Sequence, residues 1–202
     1  MDKISIIEKP LGVSWETIHE VLLAAHQENR SKGIIMAYSV QDGSKIREII
    51  ESSGGVMFVA LDGNKVVGTA GIEIKKENRW YNKGLCAYYI FASVLPGYRG
   101  MNIYQKLNEY RNNWVKEKQL PVIVSATHEK NKRIINIWKK TGFKKVHFRA
   151  GSDHYNVFVA RYLDKTEPSN FISFLMFNIS KIFYKVRYRI DKEKGCVKRF
   201  GI

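Results

Sequence analysis

Apolar positions along this chain recur first at helical spacing, then at strand spacing, and then in alternation of the two, and these changes of period set out its elements. Trp15, Ile18, Leu22 and Ala25 form a helical stripe, with Ser14 placed as its N-cap and Glu16 in the first turn, where the helix dipole favours negative charge. A second, shorter helix is predicted from the cap Asp42, with Ile46, Ile49 and Ile50 on one side, and residues 52–55 stop it. Residues 56–61 and 65–74 read as two strands joined through Asp62, Gly63 and Asn64, residue types that accept the positive φ of a tight hairpin. A further strand is predicted over 85–95, after a polar loop over 78–84.

Beyond Pro96, Ile103, Leu107, Tyr110 and Trp114 mark one stripe of a helix of about five turns starting near Met101. Residues 121–127, PVIVSAT, are a short buried-strand pattern. A strand, a crossover helix and a strand make a βαβ unit, which closes right-handed, leaves its strands parallel and places a binding site at their carboxyl ends. A fourth helix over 131–140 turns Ile134, Ile135 and Trp138 inward, and Gly142 supplies the left-handed residue that ends it. Strands over 143–148 and 155–162 finish the sheet. The predicted fold class is mixed α/β: a central, mostly antiparallel sheet containing one parallel strand pair, with helices on both faces.

From Pro168 the composition shifts to FISFLMFNISKIFYKV and then RYRIDKEKGCVKRF, an apolar stretch too short to span a bilayer, trailed by basic residues. The expected organisation is one domain over residues 1–163 and a basic amphipathic appendage over 164–202. No internal repeat or low-complexity segment is visible.

Composition narrows the setting. With 202 residues, 45% of them hydrophobic and 12% aromatic, the chain is globular and can bury one sizeable core. Its net charge of +15 attracts anions, whether nucleotide cofactors, nucleic acid, acidic glycans or an anionic membrane surface. Cys86, in an apolar run, and Cys196, in the basic tail, lack the spacing of a metal site or a disulfide framework, so no metal is expected. The start, MDKISIIEKPLGVSW, has no unbroken apolar stretch of the secretory kind, and a cytoplasmic location is expected.

The segment VLPGYRGMNIYQKL joins a strand to a helix and offers an anion site. Gly97 and Gly100 let the backbone bend closely, the first helical amides point unpaired into the loop, and Arg99 adds a charge-assisted donor. Any strand-to-helix loop can carry Gly and Arg, so this stretch alone does not separate a site from a connection. Neither a Walker P-loop nor a dinucleotide fingerprint fits it.

This turn resembles that of the GNAT superfamily of acyl-CoA-dependent N-acetyltransferases, whose motif runs Val-x-Pro-x-x-Arg-Gly-x-Gly-x-Gly/Ala into a helix, and Val94, Pro96, Arg99 and Gly100 match it. A second family motif, an Asn followed by a helix, an aromatic and Gly-Phe, is matched by NKRIINIWKKTGF from Asn131 to Phe143. The resemblance covers roughly residues 5–162 and implies a parallel strand pair that splays, with acetyl-CoA as co-substrate. It implies the backbone at Val94 for the pantetheine arm, Arg99, Gly100, Met101, Asn102, Ile103 and Tyr104 for the pyrophosphate, and Asn131 and Trp138 flanking the arm. Asn102 and Tyr104 depart from the small residues usual at their positions, and Trp138 stands where many members place a tyrosine acid.

Transfer of an acyl group from a thioester to an amine needs a neutral amine, a donor for the oxyanion and a proton for the thiolate. The resemblance assigns the oxyanion to the Val94 amide. For the base, Glu73, Tyr88 and His128 are candidates by location, each weighed against an ordinary structural place, a solvated loop histidine in the case of His128. Tyr88 and Tyr89 adjoin on one strand and so face opposite ways, one into the core.

Lysines and arginines from Lys130 to Arg149 crowd the second motif, where they can steer a polyanionic cofactor or favour an acceptor carrying negative charge. Nucleic acid is not expected, since few stacking aromatics interleave with them. In the tail, Phe171, Phe174, Leu175, Ile179, Ile182, Phe183 and Val186 make a helical stripe that must cover something: its own domain, a second copy in a homodimer, or an anionic membrane beside Lys181, Lys185, Arg187 and Arg189. The expected function is acetyl transfer from acetyl-CoA to the primary amine of a small-molecule or sugar-like acceptor by direct attack in a ternary complex. The alternatives are a non-catalytic CoA-binding module and a membrane- or partner-docking protein acting through its tail.

Overall fold

Residues 4–34, 42–150, 155–163 and 168–193 are described by the computed structural model, with the side chains of residue 150 and of 188–193 outside the description. Residues 164–167, which follow the expected boundary at 163, Cys196, and the Arg189 side chain therefore lie outside the described set. The chain forms two compact units, Met1–Glu77 with Gly84–Leu120, and Asn78–Lys83 with Pro121–Ile202.

The first unit carries β1 (Ser5–Glu8), α1 (Trp15–Ser31), α2 (Gly43–Ser52), β2 (Val56–Asp62), most of β3 (Lys65–Arg79) and β4 (Asn82–Val94), and α3 (Ile103–Glu117). Its strands lie in the order β1-β2-β3-β4, with β1 and β3 antiparallel to β2. The two helix caps form where the residue types call for them: Ser14 Oγ accepts from Thr17 N at 3.0 Å and Asp42 Oδ1 from Lys45 N at 2.8 Å. Ile18 and Leu22 of α1 and Ile46 and Ile50 of α2 pack with Met57, Val59, Val66 and Phe91 on one face of the sheet. On the other face α3 sits close at Gly68, where a Cβ would lie 3.3 Å from both Ile103 and Leu107.

Three features differ from the periodicity. β1 has no counterpart in it, because four residues with only Ile6 buried carry too little alternation to give a period. The polar loop expected over 78–84 is a tight hairpin end, since β3 runs to Arg79 and β4 starts at Asn82; strand ends facing solvent need no apolar alternation. On α3, Tyr110 is 45% exposed while Arg111, 2% exposed, takes the buried position among Ile103, Leu107 and Val115.

The second unit holds β5 (Val122–His128), α4 (Lys132–Lys140), β6 (Lys144–Ala150), β7 (Tyr155–Tyr162) and α5 (Asn170–Glu193), with strand order β5-β7-β6, antiparallel throughout. Ile135 and Trp138 of α4 pack with Phe148, Val157 and Val159, joined by Phe177 and Tyr184 of α5. Gly142, at φ 83, ends α4 as expected, with Phe143 N donating back to Trp138 O at 3.0 Å. The helix α5 lies along β6, where Phe148 N donates to Ser180 Oγ at 3.0 Å. The hairpin tip of β3 and β4 belongs here too: Tyr162 Oη donates to the Tyr81 carbonyl at 2.7 Å.

His147 stands among the rings of Tyr81, Phe158 and Tyr184, at centroid distances of 6.2, 5.7 and 5.8 Å. Burial holds its pKa down to about 4, with the charges of Arg79 and Arg149 adding to the effect. Protons therefore bind the unfolded chain in preference between about pH 6.5 and 4, so the stability owed to the neutral ring is complete above that window and is lost as pH falls through it. His147→Phe is expected to remove a slope amounting to about 3 kcal/mol across that window, read from denaturant midpoints at a series of pH values.

Candidate functional site

The turn after β4 is built from both of its ends. Leu95 N donates to Val67 O at 2.9 Å, and a single turn of 3-10 helix over Pro96–Tyr98 follows. Tyr98 Oη donates to Asp62 Oδ2 at 2.8 Å, which ties the turn to the β2–β3 hairpin and raises the phenol's pKa. Gly100 has φ 85 and Asn102, the N-cap of α3, has φ 57, so two left-handed residues bracket Met101. Asn is among the few side chains that take this geometry at small cost, and here it supplies the backbone bend for which the motif ordinarily has glycine.

The consequence is a row of donors without a backbone partner among the described residues. The first backbone hydrogen bond of α3 runs from Lys106 N to Asn102 O, and among the described residues the amides of Gly100, Met101, Asn102, Ile103, Tyr104 and Gln105 have no backbone acceptor. Such a row at the positive end of a 15-residue helix suits a phosphate or pyrophosphate.

Arg99 is held in a way the sequence did not reveal. Its Nη1 lies 3.0 Å from Glu28 Oε2 and its Nη2 donates to the Ala25 carbonyl at 2.7 Å, both on α1. Nearby on α1, His26 bonds the backbone of Ala92 and meets Asn29 Nδ2 at 3.0 Å from its Nδ1; burial pushes its pKa down to about 4 and the Arg99 charge adds to this. The later part of α1 is thereby fastened to the end of β4 and to the turn.

Within β4 the backbone breaks phase at Phe91, which has φ 51. Tyr89, two residues earlier, meets α3 through Asn112 and Arg111, whereas Phe91 joins the cluster under α1 and α2. On a regular strand the two would share a face, so Phe91 marks a bulge. Thr69 holds it, donating from Oγ1 to the Phe91 carbonyl at 2.8 Å with Ser93 Oγ at 3.0 Å.

Tyr89 is accordingly the core member of the adjacent tyrosine pair, and half-buried Tyr88 faces the α1 and α2 side. Glu73 lies on that same face of β3 by alternation with Thr69 and Gly71. Lys75 brings the two together: its Nζ is 3.2 Å from Glu73 Oε1 and 5.0 Å from the centre of the Tyr88 ring. Lys75 was not among the residues read as functional, and its i, i+2 relation to Glu73 on a strand was the available signal.

His128, Asn131 and Trp138 belong to the second unit. His128 is the last residue of β5 and 1% exposed, where a solvated loop ring was the alternative to catalysis; its Nδ1 accepts from Lys130 N at 3.0 Å. Asn131 caps α4, its Oδ1 accepting from Ile134 N at 3.4 Å while its Nδ2 donates to Thr127 Oγ1 at 3.2 Å. Trp138 is 7% exposed and packs against Phe143, with ring centres 6.1 Å apart.

The description Acetyltransferase (GNAT) family matches residues 15–143 of this chain. No curated protein sequence matches it significantly. Among solved structures, an acetyltransferase of the GNAT family from Staphylococcus aureus Mu50 is 23% identical, with a TM-score of 0.63 over 80% of this chain and 100% of its own. An acetyltransferase from Streptococcus agalactiae 2603 is 20% identical, with a TM-score of 0.63 over 81% of this chain and 100% of its own. A GNAT family acetyltransferase from Elizabethkingia anophelis, solved with acetyl-CoA bound, is 14% identical, with a TM-score of 0.58 over 81% of this chain and 100% of its own. At these identities the likeness speaks for the fold, a mixed α/β arrangement of the expected class.

Proposed function

The chain belongs to the GNAT acetyltransferase family, and from that premise we propose that it transfers the acetyl group of acetyl-CoA to the primary amine of a small-molecule or sugar-like acceptor, by direct attack in a ternary complex. Binding of acetyl-CoA is typical of this family, and the observation that carries the reading for this chain is the row of amides from Gly100 to Gln105. A pyrophosphate accepts from these donors without any side chain having to reach it. Arg99, already turned toward Glu28 on α1, adds positive charge at the edge of that row.

In the reaction proposed, the neutral amine attacks the thioester carbonyl carbon, a C–N bond forms, and the C–S bond breaks as the thiolate leaves. The amide of Val94 donates to the oxygen that becomes negative. The attacking nitrogen becomes cationic as the C–N bond forms and loses that proton to Glu73, to solvent or directly to the departing thiolate, which otherwise takes one from water, since a thiol near the ordinary ~8.5 needs no strong acid. Glu73, Lys75 and Tyr88 share the sheet face that carries α1 and α2, and this is where the acceptor amine is placed.

Calorimetry with acetyl-CoA tests the binding half of the proposal. The wild type is expected to bind and Arg99→Ala to bind about tenfold more weakly, as loss of a positive charge beside the amides and of the tie between α1 and the turn implies. No binding by the wild type defeats the proposal. Binding without transfer to any member of a panel of small amines and amino sugars replaces it with a CoA-binding module that lacks turnover.

A further inference from the structure

Helix α5 lies beyond residue 143, where the family match ends, and it presents two unlike faces. Ser173, Phe177, Ser180 and Tyr184 turn inward, with Phe177 and Tyr184 in the core of the second unit and Ser180 bonded to β6. On the opposite side Phe171, Leu175, Ile179, Ile182, Phe183 and Val186 stand in water, Phe171 at 71% exposure and Ile182 at 65%. At ~100° per residue these six fall within a sector of about 120°, an unbroken apolar strip along most of the helix. Side chains this large, exposed together, mark a surface that something covers.

Among the described side chains of α5 the charges beside the strip are of one sign. Lys181 and Lys185 lie along one edge of it and Arg187 along the other, and the segment from Pro168 to Arg187 contains no Asp or Glu. Lys181 also stands near Lys145 of β6, and Lys132 and Lys139 of α4 approach the same residue; burial and the charges of these three lysines lower the pKa of Lys145, and no carboxylate is among the causes. Lys145 in turn lies over the Phe177 ring at 5.7 Å, so the lysine cluster adjoins the helix that bears the strip.

We infer that α5 is an interfacial helix by which the chain docks on an anionic lipid surface, with its outer apolar strip entering the boundary between headgroups and acyl chains and the flanking lysines and Arg187 meeting the headgroups. Lipid phosphate is the partner that satisfies both observations. A second copy covering the strip through a two-fold axis would set Lys181, Lys185 and Arg187 against their own counterparts, like charge facing like. No helix among the described residues is long and apolar enough to cross a membrane, which agrees with docking in the plane of the surface.

Co-sedimentation of the full chain with vesicles tests this. The wild type is expected to bind phosphatidylcholine vesicles that contain phosphatidylglycerol, to bind pure phosphatidylcholine at least about tenfold more weakly, and to be released by salt. Ile182→Glu with Phe183→Glu is expected to reduce partitioning at least about tenfold, and Lys181→Gln with Lys185→Gln by roughly 30-fold, about fivefold per lysine. Both pairs of residues lie on the outer or flanking faces, so unchanged circular dichroism and acetyl-CoA binding are expected and confirm that the variants are folded. Absence of binding to the anionic vesicles, or equal binding by wild type and the Ile182→Glu, Phe183→Glu variant, overturns the inference. So does a wild-type dimer in light scattering that this variant converts to monomer.

Discussion

Arg111→Ala is expected to destabilise the protein by about 3–4 kcal/mol, whereas Arg111→Met costs about 1 kcal/mol. Arg111 is 2% exposed, its guanidinium stacks on Tyr89 with Cζ 3.9 Å from the ring centre, and it donates to the Gly71 carbonyl at 3.3 Å and to Asn108 Oδ1. Alanine removes the volume between α3 and the sheet and leaves both acceptors without this donor, and the two penalties add. Methionine refills most of the space with a flexible apolar chain, so that chiefly the hydrogen bonds and the cation–π contact are lost, while the desolvation cost of the buried charge disappears with it. A thermal melt reads the difference, since in a chain of this length each kcal/mol moves the midpoint by about 2–4 °C. Equal losses for the two variants would place the stabilisation in the guanidinium's polar contacts and not in packing.

The second large effect concerns ligand affinity. Asn102→Gly is expected to bind acetyl-CoA at least as tightly as the wild type, and Asn102→Val at least about tenfold more weakly, measured by calorimetry on both. At φ 57, glycine is unstrained, asparagine is tolerated, and a β-branched side chain costs on the order of 1–3 kcal/mol. Relief of that strain in the valine variant turns the peptide before α3 and re-aims the amides of residue 102 and Ile103. Asn102 makes no side-chain capping bond, so its amide group is not what the variants remove. Equal affinity of the wild type and the Asn102→Val variant would show that these amides do not hold the ligand.

Elements with apolar stripes were legible in the sequence: α1 and α2 begin at the expected caps Ser14 and Asp42 because local hydrogen bonds within three residues define a cap, and α4, expected from Asn131, is capped by that residue. The turn after Val94 was legible for the same reason, since its left-handed residues and exposed amides depend on Gly100, Asn102 and the helix that follows them. Contacts between residues far apart in the chain left no such mark. Glu28 and Arg99, 71 positions apart, or Thr69 and the Phe91 carbonyl, 22 apart, have no shared period or spacing by which one could point to the other.

By itself, then, the sequence determined the order of most elements, the family to which the chain belongs and the bend of the turn after Val94, all of which rest on patterns within short stretches of the chain. Only the tertiary structure decided which side chains enter the core and which stay outside it. Tyr89 went inward and Tyr88 outward because a bulge at Phe91 and the packing of α3 set the phase of β4, and Lys75 joined Glu73 to Tyr88 because strand pairing brought β3 and β4 side by side. Strand register and helix docking are properties of pairs of segments, and a single segment's sequence does not contain its partner.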